Sequence, residues 1–217
     1  MDPVWVLVLR STLVAVLGVA LVFPVALWLA WKVARRPSGL GTVLETIAML
    51  PLVLPPVVTG FVLLIALSPL YLPGRLLESA FGIRVPFTLA AAVLAAGVVS
   101  FPLLLKGIKT GFASVHPRLE EVAATLGCSR YQVFVRVTLP LARHGLAAGL
   151  LLALARAVGE FGATLVVAGN IPGRTQTLPL AIYRATQLGD THTGWLLIAI
   201  SALLALALTL VARPFDR

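Results

Sequence analysis

The run from Ser11 to Trp31 is 21 residues long and carries no charged side chain. A helix crossing roughly 30 Å of hydrocarbon needs about 20 mostly apolar residues, since each adds about 1.5 Å and lipid offers no partner for an unpaired backbone group. The run is too long for the apolar part of a signal peptide, and no small-x-small cleavage site follows, so it reads as a retained span. Three further runs approach the same length: Thr46 to about Ser68, Val85 to Leu105, and Trp195 to Ala212. A fifth, from about Gly145 to Ala168, is apolar except for Arg156 and Glu160. The expectation is an all-α polytopic membrane protein with five transmembrane helices, forming one domain over 1–217 with a polar loop at about 107–143. The tract 69–84, broken by Tyr71, Pro73 and Gly74, leaves room for a sixth, tilted or interfacial element.

Composition supports that class. Of 217 residues 59% are hydrophobic and only 12% charged, with a mean hydropathy of +1.02, too few charges to cover a soluble globule of this size. The net charge of +9 does not indicate nucleic acid, because the 17 Lys and Arg are spaced between apolar runs rather than clustered. Alternating the loops across the bilayer places Lys32, Arg35, Arg36, Lys106, Lys109, Arg118, Arg130, Arg136, Arg143, Arg213 and Arg217 on one side. Arg10, Arg75, Arg84, Arg174 and Arg184 fall on the other, with Arg156 inside the membrane. The basic excess marks the cytoplasmic face, which puts the N-terminus outside and the C-terminus inside.

Several chemistries find no support. Cys128 is the single cysteine, and no Cys or His stands beside it at metal-ligand spacing. His116, His144 and His192 are far apart and lie near span boundaries. No Gly-x-Ser-x-Gly occurs. A phosphate-binding P-loop needs Gly-Lys followed by Ser or Thr, but Lys32, Lys106 and Lys109 follow Trp31, Leu105 and Ile108. Any nucleotide hydrolysis therefore belongs to another subunit.

Two features within the spans carry cost. Pro51, Pro55 and Pro56 remove three backbone donors from the second span, so the helix should kink or unwind there. Such a break is either a packing kink or a bend lining a path, since lipid does not tolerate exposed irregular backbone. Arg156 and Glu160 each cost at least about 2.5 to 3.5 kcal/mol near mid-bilayer. Four residues apart, they can pair along one helix or reach a neighbouring chain, as a packing device or as part of a gate. On the same helix Gly145, Gly149, Ala153 and Ala157 form a smooth stripe suited to close helix approach, by this chain or a second copy.

Between spans lies LEEVAATLGCSRYQVFVRVTLP, residues 119–140. Pro117 suits a first helical turn, Glu120 and Glu121 suit its dipole, and Gly127 should end a helix of about two turns. Ser129 to Val137 reads as a second amphipathic stretch, with Tyr131, Phe134 and Val135 on one face and Leu139-Pro140 ending it. So small a hairpin leaves apolar residues for a partner to cover.

This segment closely resembles the EAA loop of bacterial ABC importer permeases: Glu121-Val122-Ala123, then Gly127, then Val137-x-Leu139-Pro140. Val122 replaces Ala and Val137 replaces Ile, with the spacing kept. The resemblance implies a coupling helix seated in a groove of an ATP-hydrolysing subunit, with Glu120, Glu121, Ala123, Ala124, Gly127, Leu139 and Pro140 at that contact. The run Gly159-Glu160-Phe161-Gly162-Ala163-Thr164, with Gly169-Asn170-Ile171-Pro172-Gly173 beyond it, is similar to molybdate and tungstate permeases, and LPLVLPPVVTG and SFPLLLKGIK extend the similarity over about residues 10–210. Ala-Arg-Ala and Gly-Glu-Phe-Gly also resemble sulfate and thiosulfate permeases.

The resemblance implies a homodimer in a bacterial or archaeal cytoplasmic membrane, with two ATPase subunits and an extracytoplasmic oxyanion-binding protein. ATP and Mg²⁺ would sit on the ATPase, with no cofactor or metal on this chain. Candidate path or gate residues are Pro55, Pro56, Arg156, Gly159, Glu160, Phe161, Gly162 and Thr164. Asn170, Arg174, Thr175, Gln176 and Thr177 form an external loop able to dock a binding protein or donate to an oxyanion. A channel or carrier working without an ATPase is the alternative of another class.

Overall fold

The computed structural model describes residues 2–35 and 38–212; Arg36, Arg213 and Arg217 of the charge pattern lie outside them. Within them the chain is helical: α1 (Val4–Arg35), α2 (Gly39–Val53), α3 (Pro56–Leu67), α4 (Leu72–Phe81) and α5 (Leu89–Ser114). The polar segment holds α6 (Pro117–Thr125), α7 (Arg130–Val133), a π-helical turn (Phe134–Thr138) and α8 (Leu139–Leu141). Then come α9 (Arg143–Val158), α10 (Gly162–Ala168), α11 (Leu178–Gln187) and α12 (Thr191–Ala212). α1, α5 and α12 are each long and apolar enough to cross a membrane, and five crossings result if each of two bent pairs counts as one.

The centre is α5, flanked by α1 and α9 and joined to both through glycine. A methyl built on Gly18 of α1 would lie 2.7 Å from the Val93 carbonyl and 2.8 Å from the Gly97 nitrogen. On α9, Gly145 and Gly149 press against the backbone at Gly111 and Gly107 of α5; a methyl at Gly107, Gly111 or Gly145 would come within 3.0 Å of backbone, and one at Gly149 would sit at 3.0 Å. The neighbour for the small-residue stripe is thus in the same chain. Close approach of this kind suits a membrane, where association depends on van der Waals packing rather than on expelling water. Buried Ala91, Ala92, Ala95 and Ala96 extend the smooth face of α5, while Leu104, Leu105, Ile108 and Phe112 fill the wider end. Outward faces remain apolar: Leu9, Leu13, Leu17 and Leu21 of α1 are exposed, as are Leu203, Leu206 and Leu210 of α12.

The second expected span divides at Leu54-Pro55, and the axes of α2 and α3 differ by 116°. A residue before proline is pushed out of the helical region, and Leu54 is extended (φ −70°, ψ 143°), while Pro56 starts α3 where a missing N–H costs nothing. The expected continuous helix from Gly145 to Ala168 is corrected. It stops at Val158 and restarts at Gly162, because Glu160 turns inward to serve the second helix. The tract 69–84 forms α4, ten residues long and ended by Gly82 at φ +65°, too short to cross. α5 begins at Leu89, capped by Thr88, and continues past Leu105 to Ser114, carrying Lys106 and Lys109 on the helix.

The expected termination at Leu139-Pro140 is also corrected. Helical backbone runs on to Leu141 and bends by 68° at Ala142. In a regular α-helix the Pro140 ring would strike the Arg136 carbonyl; widening to a π turn, closed by Leu139 N–H donating to Phe134 O, removes that clash.

Candidate functional site

α6 is built as its sequence suggests. His116 Nδ1 accepts from the Arg118 N–H at 3.2 Å, Pro117 opens the first turn, and Glu120 lies within it. Its end is a Schellman pair: Cys128 N–H donates to Ala123 O at 3.1 Å and Gly127 N–H to Ala124 O at 3.0 Å. Gly127 has φ +88° and open space around it, so conformation rather than crowding requires glycine there. A capping box at Ser129 and Gln132 then starts α7.

Glu120 and Glu121 part company. Glu120 turns inward, where Oε1 accepts from Arg35 Nε at 3.0 Å and Thr138 Oγ1 at 2.7 Å, with Arg35 Nη2 at 2.8 Å. Arg35 Nη2 also donates to Val115 O at 3.0 Å, so one guanidinium ties the end of α1 to both the end of α5 and α6. Glu121 stays exposed beside Ala124, Ala123 is buried, Leu139 is half-buried and Pro140 is exposed. Leu119, Val122, Leu126 and Tyr131 are exposed apolar side chains on this short hairpin, 48%, 56%, 80% and 75% accessible. A cleft of about 490 Å³ runs between α1 and the hairpin, lined by Arg35, Glu121, Ala124, Cys128 and Arg130 among others.

The two helix breaks meet. A methyl on Gly162 would lie 3.1 Å from Pro56 Cβ and 3.3 Å from the Val57 nitrogen, and one on Gly60 would lie 2.7 Å from Ala163 Cα. Pro56 and Gly162 are therefore neighbours, whereas Pro55 and Gly159 are exposed. Glu160 is 3% exposed; its Oε1 accepts from the Ala163 N–H at 2.8 Å and its Oε2 lies 2.7 Å from Arg156 Nη1. The charges thus pair within the chain, across the end of α9. Phe161 packs on Tyr183 at 5.2 Å between ring centroids, and Thr164 is buried. Thr59, on the first turn of α3, has a buried Oγ1 with no hydrogen-bond partner among the described residues.

The loop 169–177 occupies the opposite end of the bundle and is largely closed on itself. Asn170 Nδ2 donates to Leu180 O at 3.0 Å, Gln176 Nε2 to Asn170 Oδ1 at 2.8 Å, and Thr175 Oγ1 to Gly169 O at 2.9 Å. Thr175, Gln176 and Thr177 are buried, and Arg174 is exposed. Arg10 anchors the loop by donating to Asp2 Oδ2 at 2.7 Å and Gln176 O at 2.9 Å, while Gly173 N–H donates to Asp2 at 3.0 Å. The Arg10 hydrogen bond, with help from Gly173, holds the Asp2 carboxyl below its ordinary value. Sequence reasoning passed over Asp2, Arg10, Ser11, Arg35 and Thr138. Ser11 Oγ accepts from the Leu178 N–H at 2.7 Å, Arg10 reaches Gln176 and Arg35 reaches Glu120, so most of these partners lie far along the chain, and only the grouping of Arg35 with the polar segment and of Arg10 with Arg174 by side hinted at them.

The model of the binding-protein-dependent transport system inner membrane component family matches residues 22–217. The molybdenum transport system permease protein ModB of Escherichia coli K12 is 41% identical over 217 residues, covering 100% of this chain and 95% of that protein. ModB of Mycobacterium tuberculosis H37Rv is 45% identical over 196 residues, covering 90% of this chain and 71% of that one. Among solved structures, the MetNI methionine ABC transporter in inward-facing form aligns with TM-score 0.65 at 18% identity over 99% of this chain and 94% of that chain. An amino acid ABC transporter aligns with TM-score 0.64 at 16% identity over 96% and 90%. By sequence match, and with a fold to suit, the chain belongs to the family of binding-protein-dependent transport system inner membrane components, the membrane subunits of ABC importers.

Proposed function

We propose that this chain forms the membrane path of an ATP-driven importer for molybdate and tungstate. The observation that carries the ATP-driven part is the hairpin α6–α7, whose exposed Leu119, Val122 and Leu126 on α6 and its end are left uncovered among the described residues although Glu120 fastens the hairpin to α1. The names of the relatives, at 41% and 45% identity, support the oxyanion. Two copies of the chain, as a single permease domain each, would dock two ATPase subunits that carry the ATP and Mg²⁺, while this chain binds neither cofactor nor metal. The basic excess on the side of α6 supports an N-terminus outside and a C-terminus in the cytoplasm of a bacterial or archaeal cell.

In this reading ATPase closure moves α6, and the apposed breaks at Pro55-Pro56 and Gly159–Gly162 give α3 and α10 freedom to part along the path. The loop 169–177 faces an oxyanion-loaded binding protein. Its hydrogen bonds are spent internally, which favours a docking surface over direct coordination of the anion.

The test is ATP hydrolysis in proteoliposomes holding the chain, its ATPase and the binding protein loaded with molybdate, tungstate or sulfate. Stimulation by molybdate or tungstate and not by sulfate is expected. Stimulation by sulfate alone transfers the chain to the sulfate and thiosulfate branch, and solute flux without an ATPase overturns the proposal. Glu121→Arg and Gly127→Pro should leave membrane insertion intact and separate hydrolysis from uptake.

A further inference from the structure

Beside the cleft at the hairpin lies a second groove of about 390 Å³, between the last turns of α1 and the start of the hairpin's second helix. It is lined by Pro24, Leu27 and Phe134 together with the aromatic rings of Trp28, Trp31 and Tyr131. Trp28 is 52% exposed and Tyr131 75%. Along α1 the groove extends from Trp31 back to Pro24, about 10 Å at 1.5 Å per residue. Pro24 lies well inside the uncharged run 11–31, at a depth reached by lipid tails and not by a water-soluble subunit.

The rim near Trp31 is cationic. Lys32 Nζ lies 4.8 Å from the centroid of the Trp28 ring, and Arg130 lines the groove. Arg130 makes no ion pair or side-chain hydrogen bond among the described residues, whereas Arg35 beside it is committed to Glu120. Arg130 also borders the adjoining cleft with Glu120 and Glu121, but neither carboxylate lines the groove itself. An apolar slot with aromatic rings in its lining and two available cations at one end matches one amphiphile: a tail, an interfacial ester region and an anionic headgroup.

We propose that this groove binds an anionic phospholipid, with one acyl chain along Pro24, Leu27 and Phe134 and its phosphate between Lys32 and Arg130. The site joins α1 to the hairpin from the lipid side, opposite the Arg35–Glu120 tie. It does not depend on which anion the importer moves.

The assembled transporter, extracted in mild detergent and given equimolar phosphatidylglycerol and phosphatidylcholine, should retain phosphatidylglycerol in native mass spectrometry. A surface cation contributes about fivefold to binding of an anionic lipid, so Lys32→Gln/Arg130→Gln should lower the preference by about thirtyfold. Leu27→Trp, which fills the slot without touching charge, should displace both lipids, and millimolar inorganic phosphate should not compete. Equal retention of the two lipids by the unmodified protein overturns the proposal, as does a preference that survives the double substitution. Displacement by phosphate would reassign the cations to a free oxyanion. A photocrosslinker in place of Tyr131 should label lipid; labelling of the ATPase subunit instead would make the groove part of that protein contact and also overturn it.

Discussion

Replacing Arg156 with Met strands a carboxylate. Glu160 has 2% of its side chain accessible and holds two partners, the Ala163 N–H on Oε1 and the Arg156 guanidinium on Oε2. Without Arg156 it keeps one neutral hydrogen bond, and breaking a buried pair from one side costs about 3–5 kcal/mol. Glu160→Gln is milder. The amide oxygen still accepts from Ala163, and Arg156, with 28% of its side chain accessible, can turn toward polar surroundings, so about 1–3 kcal/mol is expected. The double variant Arg156→Met/Glu160→Gln leaves no unpaired charge and should cost less than Arg156→Met alone, a coupling of about 2 kcal/mol.

At about 2–4 °C per kcal/mol for a chain of this size, Arg156→Met should lower Tm by about 10 °C, and the double variant should recover several degrees. Unfolding of detergent-solubilised protein followed by tryptophan fluorescence measures this. An Arg156→Met shift under 2 °C, or additivity of the two single changes, refutes the reasoning. Uptake per folded molecule in the double variant then separates the two roles open for the pair: normal uptake identifies a packing device, and lost uptake places the charges on the path.

Three other outcomes follow from the geometry. Gly107→Ala should destabilise by about 1–3 kcal/mol, because its methyl enters the Gly149 backbone, while Gly39→Ala, with open space at that position, should be neutral; thermal unfolding compares them. Gly127→Ala forces a side chain into φ +88° at about 1–2 kcal/mol, so its affinity for the ATPase subunit should fall about tenfold in a binding titration, and Gly127→Asn should fall less. The Asp2 carboxyl is held below 3.8 in the folded chain, so its contribution is full above about pH 4 and is lost as pH falls through the lowered value. The Tm gap between the unmodified chain and Asp2→Asn should therefore stay constant from about pH 5 to 8 and close in stronger acid.

Local rules made part of this legible. Pro55-Pro56 announced the break in the second span, and Gly127 announced the end of α6, because each acts on its own backbone. Tertiary devices were hidden. Gly107 and Gly111 have the spacing of a helix-packing pair, but Lys106 and Lys109 among them suggested a loop, and the matching glycines stand on another helix. At Gly159–Phe161 the charge of Glu160 stood out but the break did not, although a glycine followed by a carboxylate offers both a helix end and a cap for the next helix. The π turn needed one further step, asking which carbonyl the Pro140 ring would strike. Arg35 and Glu120 are 85 positions apart, and nothing local in either sequence names the other.

These contacts divide the molecule into parts of unequal stiffness. α1, α5 and α9 meet backbone to backbone at Gly18/Gly97, Gly107/Gly149 and Gly111/Gly145, which leaves little room for sliding. The polar links of the hairpin to this block run through the guanidinium of Arg35, beside the packing of Phe134 on Trp31 and Phe112 and the 68° bend at Ala142. Under the proposed mechanism, force applied to α6 reaches α1 through the Glu120–Arg35 pair and α9 through the π turn, and Thr138 of that turn links the two routes, since its hydroxyl donates to Glu120 at 2.7 Å. Thr138→Val removes that donor at nearly constant volume and leaves the Arg35–Glu120 pair in place. If the hydroxyl joins the two routes, ATP consumed per anion imported should rise while the ATPase subunit still binds. An unchanged ratio would mean that Arg35 alone carries the load.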